Sequence, residues 1–207
     1  MVTDRPPRNG KSLAQFRDSE RLTRIELPPT SRLPQLAQVI DSVMKEGTRE
    51  QVRRACAEFV SAAAALYGVR APEVRALAAR PLRVRDGGWQ TELFGDYSIG
   101  NVLIRIWTRT AVRNQVTSFG TFLSTLCHEF CHHLDCQKLG FTRSPHTLGF
   151  YERAAMLYHH ARGTPVKRLF WIEMPGSRWR IDWRRTNAVQ NTADQILRFS
   201  ARSYSGK

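Results

Sequence analysis

Apolar residues Leu36, Val39, Ile40, Val43 and Met44 recur three and four positions apart, which predicts an amphipathic helix that opens at Leu33 and stops at Gly47. A second helix is predicted from near Thr48, with Glu50 and Gln51 in its first turn and Val52, Cys56, Phe59, Val60, Ala63 and Tyr67 on one face. The two helices form one layer of a core, and a short helix is expected after Pro72. Between residues 82 and 109 the period changes to two. Gly87, Gly88, Gly95 and Gly100 punctuate stretches rich in Val, Ile, Leu, Tyr and Trp, the pattern of a small meander of strands. Its last strand, Val102 to Trp107, places Val102, Ile104 and Ile106 on one face and Arg105 and Trp107 on the other.

The helical period returns over residues 118–138, where Phe119, Phe122, Leu123, Leu126, Phe130 and Leu134 form a stripe and Gly140 supplies the stop. A further helix is predicted from about Thr147 to Ala161, ending at Gly163. Two extended runs, Val166 to Met174 and Arg178 to Trp183, flank Pro175-Gly176-Ser177 as a hairpin. Residues 1–30 carry Pro6, Pro7, Pro28 and Pro29 among many charges, and read as an irregular basic arm, mobile or loosely docked. Residues 186–207 are polar and weakly patterned, a C-terminal tail. The pattern amounts to an α+β fold: one domain over residues 31–185, with N-terminal helices, a small mixed sheet, a long central helix, a further helix and a C-terminal β-hairpin.

A length of 207 residues and an apolar content of 42% suit one core. The first thirty residues hold no apolar stretch of the signal-peptide kind, and the longest apolar run, Phe59 to Val69, falls short of the roughly 18 to 20 residues needed to cross a bilayer. A soluble, cytoplasmic protein with no membrane partner is expected. Four cysteines, three of them crowded at Cys127, Cys131 and Cys136, fit reduced thiols better than a disulfide framework. The net charge of +14 introduces an anionic partner, with DNA the first candidate. Residues 161–185 concentrate that charge: seven Lys and Arg, among them Arg178, Arg180, Arg184 and Arg185, face two acidic residues and are interleaved with Trp171, Trp179 and Trp183. Arginine beside an exposed aromatic ring suits single-stranded nucleic acid. A strand face shared by Trp179, Ile181 and Trp183 is the structural alternative.

The residues that carry chemistry are His128-Glu129-Phe130-Cys131-His132, an HExxH pattern inside the predicted helix of residues 118–138. Each helical residue advances about 100°, so His128 and His132 project about 40° apart, one turn along the axis, and both imidazoles reach one ion. Glu129 is displaced enough to miss that ion and touch a water beside it. A zinc hydrolase needs this arrangement: the ion polarises a carbonyl and acidifies water, and the carboxylate moves the proton to the leaving amine. On the helical wheel the two histidines fall opposite the apolar stripe, where a cleft wall belongs.

A catalytic zinc site takes three protein ligands. His133 points to the edge of the apolar stripe and reads as structural, while His159 and His160, late in the next helix, read as surface residues. His146 lies fourteen residues after His132 and past the Gly140 turn, so the chain can reverse and return it to the ion. Glu152, twenty residues after His132, is the rival ligand; its spacing resembles that of thermolysin-like gluzincins, in which a helical glutamate completes the site. Asp135 projects toward His132 and is a candidate acceptor for its second ring nitrogen. Cys127 and Cys131 turn away from the histidines and read as small packing residues. Tyr151 and Tyr158, with His159 and Arg162, are candidates for transition-state stabilisation. The strand Val102 to Trp107 is expected to offer an edge to an extended peptide substrate.

The run Leu126 to Leu134, followed by His146-Thr147-Leu148-Gly149-Phe150, resembles the SprT-like (Spartan-type) zinc metallopeptidases over roughly residues 33–165. Gly95-Asp96-Tyr97 and the strand after it are also similar to that family. The resemblance implies a zincin-like fold, peptide-bond hydrolysis with one Zn²⁺ per chain, and His146 as third ligand in place of Glu152. It also implies DNA-associated proteins as substrates. The chain departs from the family pattern at Thr147, where a glycine is usual, and it has no cysteine after Cys136 to build a second zinc site. The function expected is that of a zinc endopeptidase; the alternative is a nucleic-acid-binding protein whose zincin fold is structural or inactive.

Overall fold

The computed structural model describes residues 1–84 and 90–188; Gly87, Gly88 and residues 189–207 of the expected tail lie outside the described residues. The fold is mixed α+β. Helix α2 (Leu33–Glu46) has Pro34 in its first turn and ends at Gly47, and α3 (Arg49–Tyr67) begins with a capping box in which Thr48 and Gln51 satisfy each other's backbone N–H groups. Gly68, at φ 64°, closes α3 in the left-handed conformation. Their apolar faces meet, with Ile40, Cys56, Phe59, Val60 and Ala63 fully buried, while Val39, expected on that face, is exposed.

The segment after Pro72 is a strand, β1 (Glu73–Ala79), where a short helix was expected. Local propensity loses there to tertiary pairing: β1 runs parallel to β5 (Leu103–Arg109) and buries Val74 and Ala76 beside Ile104 and Ile106. β4 (Gly95–Ser98) pairs antiparallel on the other side of β5, so the sheet order is β1-β5-β4, with the hairpin of β2 (Leu82–Val84) and β3 (Gln90–Glu92) apart from it. The arrangement is thus a mixed sheet with a parallel crossover, not a simple meander. β5 is central, so residues 102–107 are not the edge expected; β1 and β4 are the outer strands. Val102 precedes the strand at φ 49°, outside the face it was expected to share.

Helix α4 (Phe119–Leu134) starts at Ser118, whose side chain accepts from Thr121 N–H, and leads into one π-helical turn, Asp135–Leu139, closed by Gly140 at φ 78°. Its stripe Phe122, Leu123, Leu126, Phe130 and Leu134 enters the main core, as the wheel requires. The opposite face is also covered. Cys131 packs there with Phe150, Tyr151 and Ala154 of α5 (Leu148–Arg162) and with Leu169 and Ile181, a second, smaller core. β6 (Trp171–Met174) and β7 (Arg178–Ile181) form the expected hairpin, with Gly176 and Ser177 both at positive φ in the turn. β7 stops two residues early because Asp182 accepts from the N–H of Arg185 and caps a helical turn at 183–188. Trp183 is consequently exposed and does not share a strand face with Ile181.

The N-terminal thirty residues depart most from expectation. Asn9 caps a helix, α1 (Gly10–Arg21), and residues before it add a short strand to β7 through the Val2–Arg180 bridge and the Thr3 N–H to Trp179 carbonyl bond. The helix was hidden because few apolar residues anchor it: Phe16 and Ser19 are the buried ones. It is held by polar contacts with α5, where Arg153 donates to the carbonyls of Ser19 and Leu22. Close approach requires Gly149. A Cβ there would lie 2.2 Å from the Ser19 carbonyl oxygen and 2.7 Å from that of Leu22, both backbone atoms with nowhere to go. Gly149→Ala is therefore predicted to cost at least about 1–3 kcal/mol of stability in chemical denaturation, and to expose α1 to limited proteolysis before the rest of the chain.

Candidate metal centre

His128 and His132, one turn apart on α4, and His146, two residues before α5, converge. The Nε2 atoms of His128 and His146 are 3.1 Å apart, those of His132 and His146 3.1 Å, and those of His128 and His132 3.2 Å. Three such contacts cannot all be hydrogen bonds among neutral rings, since each Nε2 either donates or accepts and two of the three must be alike. A cation at that centre resolves the conflict. Bonds of about 2.0–2.1 Å to one ion at near-tetrahedral angles hold ligand nitrogens about 3.3 Å apart, so the observed triangle fits a metal. These three histidines are the group among the described residues whose donor atoms are placed to hold one.

The surroundings set the charge states. Burial, with His146 and then the N-terminal ammonium beside it, drives His128 down to about 3, and burial with the two neighbouring rings holds His132 well below its usual value. Both rings are neutral at pH 7, the form that binds metal. Phe150 stacks on His132 with centroids 4.4 Å apart and meets His128 edge-on at 4.8 Å, forming an apolar wall. Glu129 is 5% exposed, and burial together with the charge of Asp96 pushes its carboxyl up to about 8. A divalent cation nearby opposes that shift and favours the carboxylate. Gly95 of β4 gives Glu129 its room: a Cβ there would fall 3.0 Å from the glutamate Cγ and 2.6 Å from Thr125 Cγ2.

The outer ring nitrogens of His146 and His132 have different environments. His146 receives Asp4, whose carboxylate accepts the His146 backbone N–H at 2.9 Å and lies 3.4 Å from Nδ1. His132 Nδ1 is 2.7 Å from Ser144 Oγ, which donates to Asp135 Oδ2 at 3.0 Å. Asp135 thus reaches His132 through Ser144, not directly as its position on the helix suggested. Burial raises the Asp135 carboxyl to about 6 despite the fully buried Arg153 guanidinium paired with it at 2.9 Å.

The remaining candidates separate. Glu152 turns its carboxylate toward Trp171 and Arg168 and takes no part in the triangle. Tyr151 stacks on His146 at 5.8 Å and donates to the Val2 carbonyl, which keeps it beside the centre. Tyr158 lies two turns further along α5, against Gly120 at the start of α4, away from the histidines. His133 is structural as expected: Nε2 donates to the Arg70 carbonyl at 2.8 Å, and Nδ1 accepts from Tyr97 at 3.0 Å. His159, expected on the surface, is buried with Nδ1 2.8 Å from Thr164 Oγ1, because it faces the turn after Gly163. Cys127 and Cys131 are buried free thiols, raised by burial and absent from the triangle. Asp4, Ser144 and Arg153 were missed. Nothing in their local sequence marks them, since each reaches the centre through a long-range contact.

Comparison of the chain with protein-family models, with curated proteins and with solved structures gives no match. The purified chain is predicted to take up one divalent ion, measured by metal analysis after dialysis. His146→Ala lowers that stoichiometry sharply, while Glu152→Ala leaves it unchanged.

Proposed function

We propose that the chain is a zinc-dependent endopeptidase of the zincin type, with a catalytic apparatus similar to that of the SprT-like metallopeptidases. The observation that carries the reading is the triangle of His128, His132 and His146 Nε2 atoms with Glu129 buried on the same helix turn as His128. Three imidazoles with no cysteine or further carboxylate suit zinc and leave a position for water and substrate.

Zinc held by these three histidines supplies Lewis acidity to the scissile carbonyl and to the attacking water. Glu129 does the proton work, taking a proton from the water as it attacks and delivering it to the leaving amine. Close packing beside Gly95 and Thr125 restrains the side chain. β4 is the element suited to orient a peptide. The Trp107 N–H to Phe94 carbonyl bond fixes the register so that Asp96 pairs with β5, which turns the backbone groups of Gly95 and Tyr97 away from that strand. An extended substrate adding to this edge aligns a peptide bond by backbone pairing, without reading side chains.

Glu129→Gln is predicted to retain the metal while lowering hydrolysis of an unfolded protein substrate by about 10²-fold or more. Hydrolysis at the wild-type rate by that variant would contradict the assignment.

A second reading, binding of nucleic acid that brings DNA-associated proteins to the site, rests on the C-terminal face. Arg180, Arg184 and Arg185 are exposed there beside Trp183, with Arg185 placed 4.4 Å over the Phe170 ring; Arg178 is half-buried and donates to the Pro175 carbonyl. Binding of single-stranded DNA that weakens steeply with salt, and further on changing Arg184 and Arg185 to Ala, is the expected result. Equal retention by the double variant would remove this face from consideration.

A further inference from the structure

We infer that a buried chain of hydrogen bonds running from α1 to the metal centre fixes the tautomer of His132, with Ser144 as the positioning residue that delivers the constraint. The inference rests on the metal-centre reading and specifies what keeps one of its ligands ready.

The direction of each bond follows from what each group is able to donate. Arg153 is fully buried and only donates. It gives Nη1 protons to the carbonyls of Ser19 and Leu22, and Nη2 contacts Ser19 Oγ at 3.1 Å and both oxygens of Asp135 at 2.9 Å. A carboxylate paired in this way is an acceptor on both oxygens. Ser144 Oγ, 3.0 Å from Asp135 Oδ2, must therefore spend its single proton on Asp135. Its oxygen is left to accept, and the partner is His132 Nδ1 at 2.7 Å. The proton of neutral His132 is held on Nδ1, and the lone pair of Nε2 faces the triangle. The ligand form of the ring is thus set by an arginine three hydrogen bonds away, anchored on the last turn of a helix at the other end of the chain.

Several features suit this role better than packing alone. Ser144 is 4% exposed and sits at φ 40°, a conformation that disfavours most side chains and that brings the hydroxyl between the ring and Asp135. The π-helical turn places the Asp135 carboxylate under Ser144, while the Asp135 carbonyl accepts from Phe141 N–H and holds the loop in place. Asp135 and Arg153 are both completely buried, a costly pair to desolvate for a purely structural contact. His146 has a different device, the exposed Asp4 carboxylate, so the relay is specific to His132.

The test uses the full chain, metal-free and labelled with ¹⁵N-histidine, read by NMR for the ring tautomer of His132, and then titrated with Co²⁺. In the wild type, the Nδ1–H form is expected to dominate. Ser144→Ala is expected to give a tautomer mixture at His132 and a Co²⁺ affinity about tenfold weaker. Asp135→Asn is expected to shift the tautomer further, because an amide that keeps its oxygen on Arg153 turns its NH₂ to Ser144 and reverses the chain. If that variant fails to fold, Ser144→Ala alone decides, since it removes one hydroxyl and leaves the ion pair intact. Unchanged tautomer and unchanged Co²⁺ affinity in Ser144→Ala would overturn the inference and assign the ring's orientation to other contacts. A wild type that binds no Co²⁺ but shows the Nδ1–H form would sink the metal-centre reading and leave the relay standing.

Discussion

Three imidazole Nε2 atoms stand 3.1–3.2 Å apart around one point, and the fold keeps them there. That constraint organises the molecule. Two of the rings come from a single turn of α4 and are held by a helix clamped between two cores; the third is brought back by a π-helical turn, a left-handed glycine and a loop that ends at the cap of α5. At 3.1–3.2 Å the three contacts cannot all be hydrogen bonds, and the arrangement suits a cation.

Burial then acts on each group in a different sense. It keeps His128 and His132 neutral and ready to donate electrons, and it raises Glu129, whose negative charge a nearby positive ion favours. In the proposed function the acid–base group and the ligands thus share one dependence on the metal. The aromatic wall of Phe150 and Tyr151 lowers the local dielectric and strengthens both effects.

Helices α2 to α5 were legible because their signals are local: the start at Thr48, the glycines at 47, 140 and 163, and the stripe of α4 are each encoded within a few residues. The spacing of His128, Glu129 and His132 is of the same kind, and His146 followed from the length of the intervening loop and from family resemblance. What sequence reasoning missed depends on residues far apart. β1 becomes a strand by pairing with β5, thirty positions on, and α1 is helical against a surface supplied by α5. Arg153 reads as an ordinary helical arginine until the fold surrounds it with Asp135 and the carbonyls of α1. The same holds for Ser144 and Asp4, whose partners are nine or more residues away.

X-ray absorption at the zinc edge, on the folded chain loaded with one equivalent of zinc, reads the ligand set of the centre. A first shell of three imidazole nitrogens and one oxygen at about 2.0–2.1 Å is expected, with the outer-ring scattering of histidine and no sulfur. A shell containing sulfur at about 2.3 Å, or fewer than three imidazoles, would contradict it.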